Sequence, residues 1–253
     1  MSILGRRTSA IAILLAVLAV AGCGRDLADD ISATASAEGI VSVRIIGEAG
    51  DIQIIGEDRS DIELTGRAFA GTRAELDLLE FVIVKMLAEP GLTDGDELLI
   101  EILTPGNTEI DAVIRLPDHL DVVIEDGSGD INVQNVGSVN IVDASGDIDI
   151  DNVAAVVLED NSGDIDIERV ARDVAIIRDD SGDIRIERVS QNVTISSDSS
   201  GDIWIDRVTM DVTIGQDGSG DITVDNVGGA FTVENDGSGV INYSNVVGRV
   251  SLP

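Results

Sequence analysis

A four-residue unit, Ser-Gly-Asp-Ile, recurs through the second half of the chain at a nearly fixed interval. The intervals between successive serines are 17, 17, 19, 19, 19 and 19 residues. A constant period of this size is typical of repeat proteins, in which each unit packs only against its neighbours. The repeated serines are Ser128, Ser145, Ser162, Ser181, Ser200, Ser219 and, in a seventh copy with Val in place of Asp, Ser238.

Apolar and polar residues alternate within each copy, which predicts β-strands and not helices. Counting the serine as position one, position four is always Ile, position nine is always Val, and a second apolar pair follows. Glycine at the start of each copy supplies the bend between strands. We therefore predict an all-β fold, a single-stranded parallel β-solenoid (β-helix) with coils of 17–19 residues that rise by about 4.8 Å each.

The N-terminus is typical of an export signal. Two arginines precede an apolar run at residues 11–20 that is too short to span a bilayer comfortably. The run leads into Val20-Ala21-Gly22-Cys23, which resembles a bacterial lipobox. The resemblance implies a signal peptide at 1–22, cleavage after Gly22 and lipid attachment at Cys23. An ordinary secretory signal or an uncleaved anchor are the alternatives.

This signal predicts an exported protein that is anchored to a membrane of the bacterial cell envelope through Cys23. Gly24 follows the cysteine where an inner-membrane retention signal would have Asp, so by analogy with Gram-negative lipoproteins we expect the outer membrane. The membrane is then one partner, and an unidentified envelope or surface molecule is the other.

The charge and composition exclude several classes of partner and site. The chain has 48 acidic and 16 basic residues and a net charge of −32, so it lacks the clustered Lys and Arg that nucleic acids require. One Cys and one His exclude Cys-based zinc sites and multi-His metal sites. We expect no resident cofactor and no nucleic acid partner.

The Ser-Gly-Asp corner has two interpretations. Ser and Asp can hydrogen-bond the free backbone groups of a turn, and this structural role is the one we favour. The alternative is a column of carboxylates that binds Ca²⁺, because hard cations prefer such oxygens and would relieve the repulsion between coils. The speculative metal column consists of Asp147, Asp164, Asp183 and Asp202.

Trp204 occupies position five of its copy, between Ile203 and Ile205. Because both isoleucines should point into the core, the alternation places the indole outside. An exposed Trp can anchor a partner or a sugar ring, although single exposed apolar residues are also common on soluble proteins.

The first half of the chain is less regular. We predict a tether at 23–39, an N-terminal β part at 40–127 with a short helix at 72–80, and the repeats at 128–253. Thr72 and Glu75 have the spacing of a capping box at the start of this helix. Residues 40–253 are expected to form one continuous body, and a separate N-terminal domain is the alternative.

The segment before the repeats carries a family resemblance. Ile114-Arg115-Leu116-Pro117 is followed by apolar residues at 120, 122 and 124, and then by the Ser-Gly-Asp-Ile copies. This layout resembles a bacterial envelope family known as putative adhesins with β-strand repeats, a domain of unknown function. The resemblance implies the solenoid architecture and a binding role, and it supplies no catalytic residues to carry over.

The sequence thus predicts a non-catalytic envelope lipoprotein that acts as an adhesin-like binding or scaffolding module. A cation-binding or salt-adapted structural spacer is the alternative. A polysaccharide-active β-helix enzyme is less favoured, because the acids recur with the repeat and no catalytic pair stands out. His119 has no nucleophile motif near it, so no catalytic residue is assigned.

The lipobox hypothesis is tested by replacing its cysteine. Cys23→Ser should abolish incorporation of labelled fatty acid and move the protein from the membrane fraction to the soluble fraction, because the acyl chains would be the anchor. Gly24→Ala is the matched control and should stay acylated. A Cys23→Ser protein that is still membrane-bound and correctly processed would contradict the hypothesis.

Overall fold

The computed structural model describes residues 11–12, 27–88 and 95–253. The predicted signal peptide apart from Ile11 and Ala12, the cleavage site at Gly22 and the lipid attachment site at Cys23 lie outside the described residues. Within the described ranges the chain forms two β-sheets and one short helix, α1 (Arg73–Leu76). No helix among these residues is long and apolar enough to cross a membrane.

Sheet A contains twelve strands of the described chain. In spatial order they are β1 (Ile11–Ala12), β6 (Glu80–Met86), β7 (Asp96–Leu103), β3 (Ile40–Ile46), β9 (Asp121–Glu125), β11 (Ser138–Val142), β13 (Ala155–Glu159), β15 (Val174–Arg178), β17 (Val193–Asp198), β19 (Val212–Asp217), β21 (Phe231–Asp236) and β23 (Val250–Ser251).

Sheet B contains eleven strands of the same described ranges. In spatial order they are β2 (Leu27–Ser36), β5 (Asp61–Ala70), β8 (Glu109–Pro117), β4 (Ile52–Glu57), β10 (Ile131–Gln134), β12 (Ile148–Val153), β14 (Ile165–Val170), β16 (Ile184–Val189), β18 (Ile203–Val208), β20 (Ile222–Val227) and β22 (Ile241–Val246).

Each repeat winds once around the molecule and adds one strand to each sheet. All strand pairs between neighbouring repeats are parallel, and equivalent residues lie opposite each other, as in Ile165↔Ile184 and Ile184↔Ile203. The prediction of a parallel β-solenoid is therefore confirmed. Because the register repeats, each inward position becomes a column of similar side chains that runs the length of the repeats.

The core is built from these columns. Ile184, Ile186 and Val189 from sheet B and Val193 and Ile195 from sheet A have 0–1% exposure. β-Branched side chains fill the narrow space between the sheets from both sides, so the coil needs almost no aromatic residues. Burial of each such side chain contributes about 1.5–3 kcal/mol to the free energy of unfolding.

The N-terminal half extends the same two sheets by a different topology. Strand β4 pairs in parallel with β10, and β3 pairs in parallel with β9, so the repeats follow directly on these strands. Beyond them, β4 pairs with β8 and β3 pairs with β7, still in parallel. The outer pairs are antiparallel, β2 with β5, β5 with β8, and β6 with β7. The first half is thus a mixed sheet structure and not a run of regular coils.

Residues 27–36 lie in the predicted tether, but they form strand β2 and do not behave as a flexible link. Ile31, Ala33 and Ala35 alternate with exposed polar residues and are 5–6% exposed. Because the inward side chains are mainly small, the composition of the segment resembles that of a loop. The alternation of inward and outward residues was nevertheless present in the sequence.

The helix begins as the capping box predicts but ends sooner. The side chain of Thr72 accepts a hydrogen bond from the backbone N–H of Glu75 at 3.2 Å, and its hydroxyl donates to the Glu75 carboxylate at 2.9 Å. The helix ends at Leu76, four residues before the predicted limit, and β6 already begins at Glu80. The apolar residues at 76 and 79 are buried as expected, but by a turn and not by a longer helix.

The change in period from 17 to 19 residues leaves the columns aligned. One extra residue enters the turn after position nine, where three residues separate Val170 from Val174 but two separate Val153 from Val156. The other enters sheet A, where the register shifts after the pair Leu158↔Ile176. Both additions sit away from the core columns, so the inward side chains keep their partners.

The tight stacking at the corner predicts a strong effect of Gly182→Ala. Gly182 has a φ of +140°, and a Cβ there would overlap the carbonyl oxygen of Gly163 in the preceding coil. We expect the free energy of unfolding to fall by at least about 2 kcal/mol, as measured by chemical denaturation.

Gly71→Ala is the control for this substitution, because a Cβ at Gly71 would meet only the Glu75 carboxylate at 3.5 Å. The control should change stability by less than about 0.5 kcal/mol. Equal effects of the two substitutions would show that stacking of the corners is not a major constraint.

Candidate functional site

The Ser-Gly-Asp corners stack into a hydrogen-bonded ladder on the outside of the solenoid. We call the exposed aspartates of these corners the outer aspartate column; it includes Asp147, Asp164, Asp183 and Asp202. In each case the Oδ1 atom accepts a hydrogen bond from the backbone N–H of the equivalent residue one coil further on. For the four predicted residues the N···O distances are 2.9, 2.9, 2.8 and 2.8 Å.

The other two residues of the corner also serve the turn. Each corner Gly has a positive φ between +124° and +154°, which the turn requires. Ser162 and Ser200 donate hydrogen bonds from their hydroxyls to the carbonyl oxygens of Ala144 and Asp180, both at 3.3 Å. The corner chemistry therefore accounts for all three residue types of the motif.

Calcium binding by the outer column stays a prediction. One oxygen of each carboxylate is engaged by a backbone N–H, so a cation would have to share these groups with the turn. Within the described ranges, no three His, Cys, Asp or Glu side chains come together in a group that could hold a metal ion.

A second set of aspartates lies inside the corner, and these residues were not singled out from the sequence. Each repeat carries an Asp two residues before the Ser, and the degraded seventh copy keeps it. The signal was therefore as regular as the Ser-Gly-Asp unit itself. We call the set the inner aspartate column: Asp126, Asp143, Asp160, Asp179, Asp198, Asp217 and Asp236.

Members of the inner column are among the most buried residues of the described chain. Asp179 and Asp198 have 0% exposure, Asp160 has 1%, and Asp143 and Asp217 have 2%. Backbone pairing places neighbouring members directly opposite each other, as in Asp179↔Asp198 and Asp198↔Asp217. The column thus brings carboxyl groups together in an environment where charge is strongly disfavoured.

Burial raises the pKa of these carboxyl groups, and repulsion from their neighbours raises it further. The pKa of Asp179 rises to about 7 through burial and the charge of Asp160, and the N–H groups of Asp180 and Ser181 oppose the shift. The pKa of Asp126 rises to about 7, and that of Asp143 to about 6, for the same first cause. Burial also raises the pKa of Asp198 and Asp217, which interact directly.

A row of ion pairs runs along the outer face of sheet B at positions seven and eight of the repeats. Arg207 contacts Glu187 of the preceding coil at 2.8 Å and Asp206 of its own coil at 2.7 Å. Arg188 similarly bridges Glu168 and Glu187. Arginines and asparagines at position eight have φ values of +52° to +59°, a left-handed bend that the alternating pattern did not reveal.

Trp204 lies on this outer face and is partly exposed, which agrees with its predicted outward direction. The Arg185 guanidinium stacks on the indole at 4.0 Å from the ring centroid, and Arg185 is the residue paired with it on the preceding strand. One face of the indole is therefore covered by the arginine. A partner could use the remaining exposed surface of both groups, so a role in surface contact stays a prediction.

Depressions are also present in the N-terminal half, away from the repeats. One of about 610 Å³ is bordered by Glu48, Glu80 and Glu101. Leu78 and Leu103 also line it and are 60% and 38% exposed, so the depression is open to solvent. Sequence reasoning did not single out these three acids, because they belong to no motif and meet only through the fold.

The fold and its stacked corners define a solenoidal repeat protein built on the Ser-Gly-Asp unit. A protein-family model described as Toastrack DUF4097 matches residues 95–238, more than half of the chain. The chain therefore belongs to this family, a domain of unknown function, which confirms the resemblance seen in the sequence.

Comparison with solved structures gave matches that cover most of this chain. A Bacteroides fragilis protein described as a putative adhesin is 17% identical and has a TM-score of 0.52, with 89% of this chain and 97% of that chain covered. A Parabacteroides distasonis protein described as a putative lipid binding protein is 15% identical with a TM-score of 0.46, covering 88% and 96%. Comparison with curated proteins gave no match.

The outer column yields a prediction that separates turn chemistry from cation binding. Asp183→Ala removes the acceptor for the Asp202 N–H and should lower the free energy of unfolding by about 1–3 kcal/mol. Asp183→Asn keeps an oxygen at that place and should lower it much less, as measured by chemical denaturation.

A second measurement follows the stability of the protein as Ca²⁺ is added at constant ionic strength. If the column serves the turn alone, Ca²⁺ should change the stability of the wild type and of Asp183→Asn equally. A stabilisation by Ca²⁺ that Asp183→Asn loses would instead support the cation-binding alternative.

Proposed function

We propose that this protein is a non-catalytic envelope lipoprotein that acts as an adhesin-like binding or scaffolding module. The feature that carries this proposal is the outer face of sheet B, an extended surface on which the same positions recur from coil to coil. A surface of this kind offers many equivalent contacts to an extended partner and encloses no reaction centre.

The best-defined contact region on this face is the pair Arg185 and Trp204. Aromatic and arginine side chains are enriched among the residues that dominate binding energy, because they present large planar surfaces, and the aromatic ones are ordered at small entropic cost. Stacking of the guanidinium on the indole holds the two groups in one orientation. The neighbouring ion pairs of Glu187 and Arg207 add a polar rim.

Lipid attachment at Cys23 would hold the module at the outer membrane. Strand β2 begins at Leu27, so the tether between the lipid and the folded body would be only a few residues long. Without the two arginines of the predicted signal peptide the net charge of −32 becomes −34, which would repel the folded body from anionic lipid headgroups. Together these features favour a body that stands off the membrane and exposes its faces.

A catalytic role is less well supported. Acids on the repeat faces are regularly spaced and engaged by arginines or backbone N–H groups, as Glu187 and Asp183 show. Within the described ranges, the depression at Glu48, Glu80 and Glu101 favours a hydrolase, because it gathers acids outside the repeats. Mutation of these three residues tests whether the depression takes part in binding, and an unchanged affinity would exclude it as the contact site.

The alternative of a salt-adapted or cation-binding spacer has one observation in its favour, the strongly acidic composition of the chain. A spacer would keep its function when the contact face is altered but not when the length of the solenoid changes. Binding measurements on the contact face therefore distinguish the two roles.

The decisive experiment measures binding of the purified protein, from Leu27 onwards, to envelope fractions of its own cell. Trp204→Ala should weaken saturable binding at least about tenfold if the indole anchors a partner. Thr223→Ala, one coil further along the same row, is the matched control and should leave binding nearly unchanged. Absence of saturable binding by the wild type would contradict the adhesin-like role.

A further inference from the structure

The inner aspartate column places carboxyl groups in the interior of the described fold without positively charged partners. Both side-chain oxygens of Asp143, Asp179 and Asp217 lack a well-formed hydrogen bond to a donor within the described protein, although they are at most 2% exposed and N–H groups of their own corners lie nearby. Buried carboxylates normally have a cationic partner or several donors. Here the carboxyl groups of neighbouring coils face one another instead.

The charged side chains around each member of the column are almost all acidic. Asp179 faces Asp160 and Asp180, and Asp198 faces Asp179 and Asp217. At the two ends, Asp126 faces Asp143 and Asp51, and Asp217 faces Asp236. The nearest cation along the chain, Arg178, is exposed and directed to Asp180 and Asn161.

Contact between neighbouring carboxyl groups points to protons and not to a metal ion. The strand register places Asp198 opposite Asp217 and Asp217 opposite Asp236, so their carboxyl groups face each other across one strand spacing. Two ionised carboxylates have no donor between them, whereas a protonated one can donate to its neighbour. Divalent cations need more converging ligands than two side chains supply, and no group of three is present in the described ranges.

The column has a defined start at its N-terminal end. Gly47 occupies the equivalent place in the coil before Asp126. Its N–H donates to the carbonyl oxygen of Glu125 in the next coil at 2.9 Å, and the N–H groups of the column donate in the same way to the coil that follows each of them. A side chain at Gly47 would overlap the carboxyl group of Asp126. The row of carboxyl groups is therefore confined to the repeats.

We propose that the inner aspartate column is a proton-binding site, in which neighbouring carboxyl groups share protons from coil to coil and release them as the solution passes from acidic to alkaline. The shared O–H···O bonds join each corner to the next. Loss of the protons leaves like charges stacked in the interior and loosens the corners. The solenoid thereby becomes sensitive to the pH of the compartment that surrounds it.

The sign of the effect follows from the direction of the shifts. In the unfolded chain these aspartates release their protons near pH 3.8, whereas in the folded chain Asp179 does so at about 7. Between these values the folded state binds more protons, so its stability falls as the pH rises and levels off above the folded pKa. This dependence is opposite to that of an acid-denatured protein stabilised by ionised carboxylates.

The test measures unfolding by urea at pH 5 and at pH 8, at high ionic strength so that repulsion between surface charges is screened. The unfolding equilibrium constant of the wild type should rise by roughly 100-fold for each aspartate shifted like Asp179. Asp179→Asn should reduce that rise by at least about tenfold. Asp149→Asn makes the same chemical change at an exposed position and should leave the rise as in the wild type.

A spectroscopic measurement on the wild type covers the case in which Asp179→Asn does not fold. At pH 6 the infrared spectrum should contain the carbonyl stretch of protonated carboxylic acids, and this band should disappear at pH 9. Absence of the band, or a wild type that becomes more stable from pH 5 to pH 8, overturns the proposal. So does a pH dependence that Ca²⁺ abolishes in the wild type at constant ionic strength, because the column would then hold a cation.

Discussion

In a parallel solenoid, the nearest neighbours of a residue on the strands are the residues at the same position of the coils above and below, about 4.8 Å away. Every position must therefore tolerate being repeated beside itself. Ile and Val meet this condition by packing, as Ile165, Ile184 and Ile203 do in sheet B. Glycine meets it at the corner, where backbones approach too closely for a side chain.

Acidic residues at the same position of neighbouring coils repel each other, and the fold offsets this repulsion differently at each position. Outer-column carboxylates such as Asp183 accept a backbone N–H from the next coil, which turns a repulsive stack into a ladder. Glu187 on the face of sheet B is bridged to its neighbours by arginines. Asp179 in the inner column is the most deeply buried of the three, and no arginine of the described chain bridges it; only the N–H groups of its own corner oppose the repulsion.

Local patterns were enough to predict the solenoid, the cap at Thr72 and the outward Trp204, because strand alternation and helix capping depend on residues close in sequence. Strand β2 was missed because its inward side chains are mainly small. The antiparallel pairs of the first half were missed because pairing between distant strands leaves no local signal. The burial of Asp179 depends on how the corner folds back on itself, which spacing alone does not reveal.

The way in which the 17- and 19-residue coils fit together has a consequence for how proteins of this architecture can vary. Extra residues are accepted in the turn between Val170 and Val174 and at one irregular point of sheet A, while every column stays in line. When a complete coil is inserted or deleted, the coils on either side still match position by position. When only part of a coil is inserted or deleted, unlike residues lie opposite each other. Such a molecule can be lengthened or shortened in steps of one coil, so its reach from an anchor changes in increments of a few ångströms.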